Sequence, residues 1–288
     1  MLKKLFLFFI FTTLIGAAYH LIKKGSQTTL NNVQDWFILL DYNDDNLHIT
    51  DYQKVKSYGM VILDPDSHPP ISLLPQNIIK IAYISLGEAE TYRSYWSKIA
   101  HKPWVIAENE NWAGNYFIDI SSSEWQELII NSVIPNIIEK GFQGLFLDTL
   151  DTAYYLAKEI PGEKYHNSKE NMILLVRKIK ESYPDLMLIS NNGFFILDEI
   201  APYLSAALSE SIYMGIDFEN NSYKAMPASE TAYKIERLLK IQSDNNLPIF
   251  IIDYTDDVNI RKTVSAKIKE LNFKPYIARK RLNNIYEQ

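Results

Sequence analysis

Short apolar runs recur along the chain, and each gives way to a polar residue. They read 36–40 (WFILL), 60–63 (MVIL), 80–86 (KIAYISL), 115–118 (NYFI), 144–147 (GLFL), 186–190 (LMLIS), 206–208 (AAL) and 248–252 (PIFII). Continuous runs of Ile, Leu, Phe and Val suit parallel strands covered on both faces. Between them the apolar positions switch to a helical period. Helices are expected over 51–58, 124–140, 167–183, 228–243 and 261–271. Pro135 lies inside the second of these and should kink or split it.

Eight strands alternating with helices over roughly 250 residues predict an α/β fold of the (β/α)8 or TIM-barrel type. An open doubly wound sheet is the alternative. If it bound a dinucleotide it would want a glycine-rich turn after the first strand, and 41–46 reads DYNDDN. Residues 33–288 are expected to form this one domain.

The N-terminus has a different pattern. MLKKLFLFFIFTTLIGAAYH places two lysines before an apolar run, with Gly16, Ala17 and Ala18 behind it. That is the layout of a signal peptide, cleaved or kept as a single membrane anchor, over 1–22. Residues 23–32 then read as a linker. A secreted or membrane-tethered protein is expected.

The polar residues after the strands carry the candidate chemistry. Asp41, Asp64, Glu88, Asp119 and Asp148 follow the first five runs. Asn191 follows the sixth, Glu210 the seventh and Asp253 the eighth. In a barrel these ends converge on the face where active sites are built. Helix capping would explain one or two such acids and the whole set poorly.

Converging carboxylates suit either a hard-cation site or glycoside hydrolysis, in which one carboxyl protonates the leaving oxygen and another attacks or activates water. None of the five histidines lies on a strand end, and no two stand at metal-ligand spacing, so no metal or other cofactor is expected. With no cysteine, thiolate chemistry and disulfides are excluded. A net charge of −6 leaves no basic footprint for nucleic acid. The run RKR at 279–281 reads as solvated surface. Aromatic residues favour sugar: 19 Tyr, 13 Phe and 5 Trp are present, with Trp104 and Trp112 among polar residues after the third run. Arg93 sits among acids, suited to orienting a carboxylate or binding substrate and equally to an ordinary salt bridge. A monomer acting on a polysaccharide is the expected state.

The stretches YISLGEAETYRSYW (83–96), GFQGLFLDTLDTAYY (141–155), LSESIY (208–213) and IIDYTDD (251–257), with the Trp104–Trp112 segment, resemble the glycoside hydrolase family 114 type of barrel domain. The resemblance spans roughly 33–280. It implies an endo-α-1,4-polygalactosaminidase-like activity with no cofactor. It also implies Asp148 and Glu210 as the catalytic pair; on environment Asp148 is read as nucleophile or electrostatic stabiliser and Glu210 as general acid/base, the reverse assignment staying open. Glu88, Glu90, Asn191, Asp253 and Tyr254 are implied as pocket residues, with Asp151 as a nearby charge or amine ligand. The other reading is a non-catalytic polysaccharide-binding barrel of an envelope or exopolysaccharide system.

Overall fold

A computed structural model describes residues 29–42, 55–160 and 164–286. The expected leader, 1–22, and the first half of the helix expected at 51–58 lie outside these residues. Residues 29–31, at the end of the expected linker, make a helical turn that buries Leu30. Among the described residues no helix is long and apolar enough to cross a membrane.

Eight parallel strands build the central sheet: β1 (Trp36–Leu39), β2 (Met60–Leu63), β3 (Ile79–Ser85), β7 (Gly144–Asp148), β8 (Met187–Asn191), β9 (Ala206–Glu210), β12 (Ile249–Tyr254) and β13 (Lys274–Ala278). Their order is β1-β2-β3-β7-β8-β9-β12-β13, an α/β barrel that is nearly closed. No ladder joins β13 to β1 among the described residues. The seam is held instead by Trp36 Nε1 donating to the Lys274 carbonyl at 3.1 Å, and by the Leu40 and Asp41 amides donating to the Leu282 carbonyl.

Two excursions interrupt the alternation. Between β3 and β7 an antiparallel sheet is ordered β4 (Glu88–Glu90), β6 (Asn115–Ile118), β5 (Val105–Glu108). Between β9 and the helix Ala228–Asn245 stands the hairpin β10 (Met214–Asp217) with β11 (Ser222–Ala225). The run 115–118 is therefore a strand but not a barrel strand, and Asp119 sits away from the barrel end. Its Oδ1 accepts from the Ser121 amide and hydroxyl in the turn leading to the helix Ser123–Leu128.

The eighth barrel strand is β13, whose sequence KPYIA carries no clear strand signal. Proline removes a ladder donor and is tolerated where one edge makes no ladder. β13 pairs with β12 alone, so Pro275 loses nothing on the seam side. Pro135 behaves as expected. The helix over 123–139 divides into Ser123–Leu128, a π-helical turn Ile129–Val133, and Ile134–Glu139 with Pro135 in its first turn.

Candidate active site

In paired parallel strands aligned residues share a face, and side chains alternate with period two. Asp148 aligns with Ser85, so it shares a face with Phe146 and with Tyr83, its partner. Asn191 aligns with Leu208, two residues before Glu210, and Glu210 aligns with Ile252, two before Tyr254. Register alone therefore turns Tyr83, Asp148, Asn191, Glu210 and Tyr254 to one side.

There they touch. Asn191 Nδ2 donates to Asp148 Oδ1 at 2.8 Å and to Glu210 Oε1 at 2.7 Å. One nitrogen at 2.8 and 2.7 Å from both oxygens puts those oxygens no more than about 5.5 Å apart. The Tyr254 hydroxyl donates to Glu210 Oε2 in a short hydrogen bond. Burial pushes the Glu210 carboxyl above the usual range, and the Asp148 charge adds to this; Tyr254, Asn191 and Lys234 oppose it. Burial and the Asp148 and Glu90 charges hold the Tyr83 hydroxyl neutral. The donors bonded directly to the two carboxylates are neutral, an arrangement suited to proton transfer and nucleophilic attack.

The backbone beyond each acid or amide is unusual. Thr149, Asn192 and Ser211 directly follow Asp148, Asn191 and Glu210, and have φ of 58°, 49° and 56°. Left-handed backbone is disfavoured for these residues, most of all for β-branched threonine, and such outliers gather at functional sites. Each is locked. Thr149 Oγ1 accepts from the Leu86 and Gly87 amides at 3.1 and 2.8 Å. Asn192 Oδ1 accepts from Ser209 Oγ and the Glu210 amide, and the Ser211 amide donates to the Ile252 carbonyl. Gly87 is required there, since a Cβ on it would meet the Thr149 carbonyl at 2.4 Å.

Several strand-end acids are occupied elsewhere. The Asp64 oxygens each accept from Arg93, from Nη1 and Nη2, both at 2.8 Å. Arg93 Nε donates to Glu90 at 2.7 Å, Nη1 to Asp66 at 2.9 Å, and Nη2 to the Tyr92 hydroxyl. Arg93 is thus the hub of a buried ion cluster in which all of its nitrogens are bonded within the protein, the carboxylate-pairing role among those expected of it. Glu88 is likewise enclosed, accepting from Asn109, Asn115 and Thr152, and tying the β4–β6–β5 sheet to the helix Thr152–Lys158. Asp253 alternates with Tyr254 and leaves β12 on the opposite face. Fully buried, it accepts from the Ile212, Tyr213 and Met214 amides at 2.6, 2.8 and 3.1 Å. Loss of hydration pushes its carboxyl up to about 6 against those three bonds. It shapes the loop after Glu210 and offers no oxygen to a sugar. Asp41 is exposed at the barrel seam.

Trp104 is buried against Trp125, ring centroids 5.9 Å apart, so it is core and not cleft wall. Trp112 is 54% exposed and meets Phe218, 57% exposed, edge to face at 5.4 Å. The contact joins the excursion after β3 to the hairpin after β9. Asp151, at the start of the helix Thr152–Lys158, is exposed, yet its carboxyl is pushed up to about 6 by local loss of hydration and by Asp148, against the Gly193 amide and Lys234. A separate cleft of about 120 Å³ lies behind Tyr83, between Arg93 and the π-helical turn. It is not over the carboxylate pair, and its Asp66, Glu90 and Arg93 are already paired with one another.

Sequence reasoning missed Tyr83, Lys234, Phe218 and the three left-handed residues. Strand parity would have found Tyr83, two positions before Ser85. The others depend on turns and helix placement that carry no local signal.

The chain is similar to other proteins in sequence and to solved structures in fold. A protein of Thermotoga maritima is 28% identical over 88% of this chain and 85% of its own length. One from Deinococcus radiodurans is 25% identical over 91% of this chain and 85% of its own. Among solved structures, the glycoside hydrolase domain of PelA from Pseudomonas aeruginosa superposes with a TM-score of 0.74 at 20% identity, covering 88% of this chain and 98% of that one. Aspergillus fumigatus Ega3 in complex with galactosamine superposes with a TM-score of 0.67 at 16% identity, covering 88% and 94%. At these identities the superpositions establish the barrel. The match to the family model runs over residues 23–288, and the chain belongs to glycoside-hydrolase family GH114.

Proposed function

We propose that this chain is an exported glycoside hydrolase that cleaves an α-1,4-linked galactosaminoglycan-type polysaccharide with retention of configuration. The observation that carries this reading is the single Asn191 amide group bonded to both Asp148 and Glu210. Carboxyls about 5–5.5 Å apart suit a double displacement, whereas inversion needs a gap of roughly 6.5–9.5 Å for water. Asp148 attacks the anomeric carbon as Glu210 protonates the departing oxygen. Glu210 then takes a proton from the water that releases the sugar from Asp148. The raised proton affinity of Glu210 suits its first role.

The sugar class is supported by charge. Asp148 and Asp151 give the cleft carboxylates outside the Arg93 cluster, a match for a polymer bearing free amines. The galactosamine held by the Ega3 barrel motivates the same choice. Trp112 and Phe218 offer flat apolar faces to sugar rings. The apolar N-terminal stretch, residues 1–22, precedes the family match and supports export.

The test is product analysis on partially de-N-acetylated α-1,4-galactosaminoglycan with wild type, Asp148→Asn and Glu210→Gln. Cleavage by the wild type, lost in both variants and giving the α-anomer first, is expected. Binding without cleavage by the wild type would replace this reading with a polysaccharide-binding barrel.

A further inference from the structure

The loop that carries Glu210 out of β9 has no ladder to hold it, and side chains from three directions take over. The Glu210 amide donates to Asn192 Oδ1 at 3.1 Å, and the Ile212, Tyr213 and Met214 amides donate to Asp253. The carbonyls on the other side face the helix Ala228–Asn245. Thr231 Oγ1 donates to the Ile212 carbonyl at 2.6 Å. Lys234 Nζ donates to the Glu210 carbonyl at 3.1 Å and to the Ser211 carbonyl at 3.2 Å, and pairs with Glu230 at 3.0 Å. Its side chain is only 16% exposed. All three ammonium protons thus have acceptors, two of them on the strained turn at Ser211.

We propose that Lys234 is a positioning residue for Glu210. Its ammonium locks the left-handed turn that aims the carboxyl at the scissile bond, and its charge sets the pH range in which that carboxyl works as an acid. The proposal rests on the reading of Glu210 as the proton donor. A neutral side chain of the same length would leave two carbonyls inward-facing and unpaired. Ser211 would then relax toward right-handed backbone and swing the carboxyl, a displacement small in distance and large in rate.

Other groups around Glu210 are Asp148 on β7, Asn191 on β8 and Tyr254 on β12. Lys234 is the cation among them. Its charge opposes the effects of burial and of Asp148 on Glu210.

The experiment compares wild type, Lys234→Arg, Lys234→Met and Glu230→Gln as full-length protein. It reads kcat, KM and the pH profile on the amino polysaccharide, and separately titrates the Glu210 carboxyl by carbon NMR without substrate, assigned by its loss in Glu210→Gln. Lys234→Met should lower kcat at least tenfold with KM changed less than about threefold, and should move the alkaline limb and the Glu210 midpoint up together. Lys234→Arg should recover most of kcat. Glu230→Gln frees the ammonium from its partner and should move the midpoint down.

A folded Lys234→Met with wild-type kcat, or a Glu210 midpoint that moves in neither Lys234→Met nor Glu230→Gln, overturns the proposal. If Lys234→Met fails to fold, Glu230→Gln alone decides. Wild-type protein that cleaves nothing, or Glu210→Gln that still cleaves, removes the acid assignment instead. The NMR midpoints then still report whether Lys234 governs Glu210.

Discussion

Two arcs of the barrel rim begin from the same sequence signal, a carboxylate at the end of an apolar parallel strand. On the β2–β3 arc, Asp64, Asp66 and Glu90 surround one guanidinium, and every nitrogen of Arg93 is taken. On the β7–β9 arc, Asp148 and Glu210 share only a neutral amide. The backbone differs as well, since all three site residues on the second arc are followed by left-handed residues. On one arc the carboxylates are paired with a cation that holds the rim together. On the other no cation bonds the carboxylates directly and the turns are strained, at some expense in stability. Position at a strand end does not make a catalytic residue; what surrounds the charge does.

The largest expected effects separate the arcs by what each substitution damages. Asp148→Asn and Glu210→Gln should lower kcat by about a thousandfold or more, with the fold intact. Arg93→Met should instead lower unfolding free energy by about 3–5 kcal/mol, because two buried carboxylates, Asp64 and Glu90, lose their cationic partner. Denaturant melts and kcat on the surviving folded fraction read both. If Arg93→Met lost activity like Asp148→Asn at unchanged stability, the distinction between the arcs would collapse.

That distinction is only half legible in the sequence. Seven of the eight barrel strands are readable as apolar runs, and Asp148 and Glu210 as strand-end acids. Those signals are local and depend on burial of one segment at a time. β13 is hidden by Pro275, whose tolerance depends on a seam formed by strands at opposite ends of the chain. The run 115–118 looks like a barrel strand because a half-buried antiparallel strand can be as apolar as a parallel one. Arg93 stands in plain view among acids, but its saturation by Asp64, 29 residues away, is a tertiary fact. Asp253 misleads because its face is set by strand parity carried one residue past the apolar run.

A sharper test lies in the amide between the acids. Asn191→Ala removes the donor to both carboxylates and should reduce kcat by about ten- to a hundredfold. Asn191 favours the charged form of Glu210, so its loss should move the alkaline limb of the pH profile upward. A drop in kcat with no movement of that limb would make Asn191 a spacer and not an electrostatic element.

A smaller effect is expected at Asp151, where the carboxyl ionises near 6. If it pairs with a substrate amine, KM for the amino polymer should fall several-fold as pH rises through about 6, and should rise with added salt. Asp151→Asn should flatten both dependences and leave kcat within about threefold. Identical salt curves for wild type and variant would remove Asp151 from substrate binding, and with it part of the case for an amine-bearing polymer.

The smallest expected effect has the opposite sign and concerns stability. Glu210 has its folded proton affinity raised by burial and by Asp148. For an acid shifted this way the folded state binds more protons than the unfolded state between the two values. The stabilising contribution is therefore present below the ordinary glutamate range and is lost as pH rises through the raised value. A glutamine side chain at this position carries no such dependence and keeps an oxygen for the Tyr254 hydroxyl. Glu210→Gln should accordingly be more stable than wild type at pH 7.5 by about 1 kcal/mol, a few degrees in Tm, with the gain shrinking toward zero near pH 4.5. Arg93→Met destabilises at both pH values, so the two arcs should move apart in one set of melts. A Glu210→Gln variant that melts below wild type at pH 7.5 would mean that the shared amide stabilises the charged pair after all, and that the β7–β9 arc carries no stored charge to release.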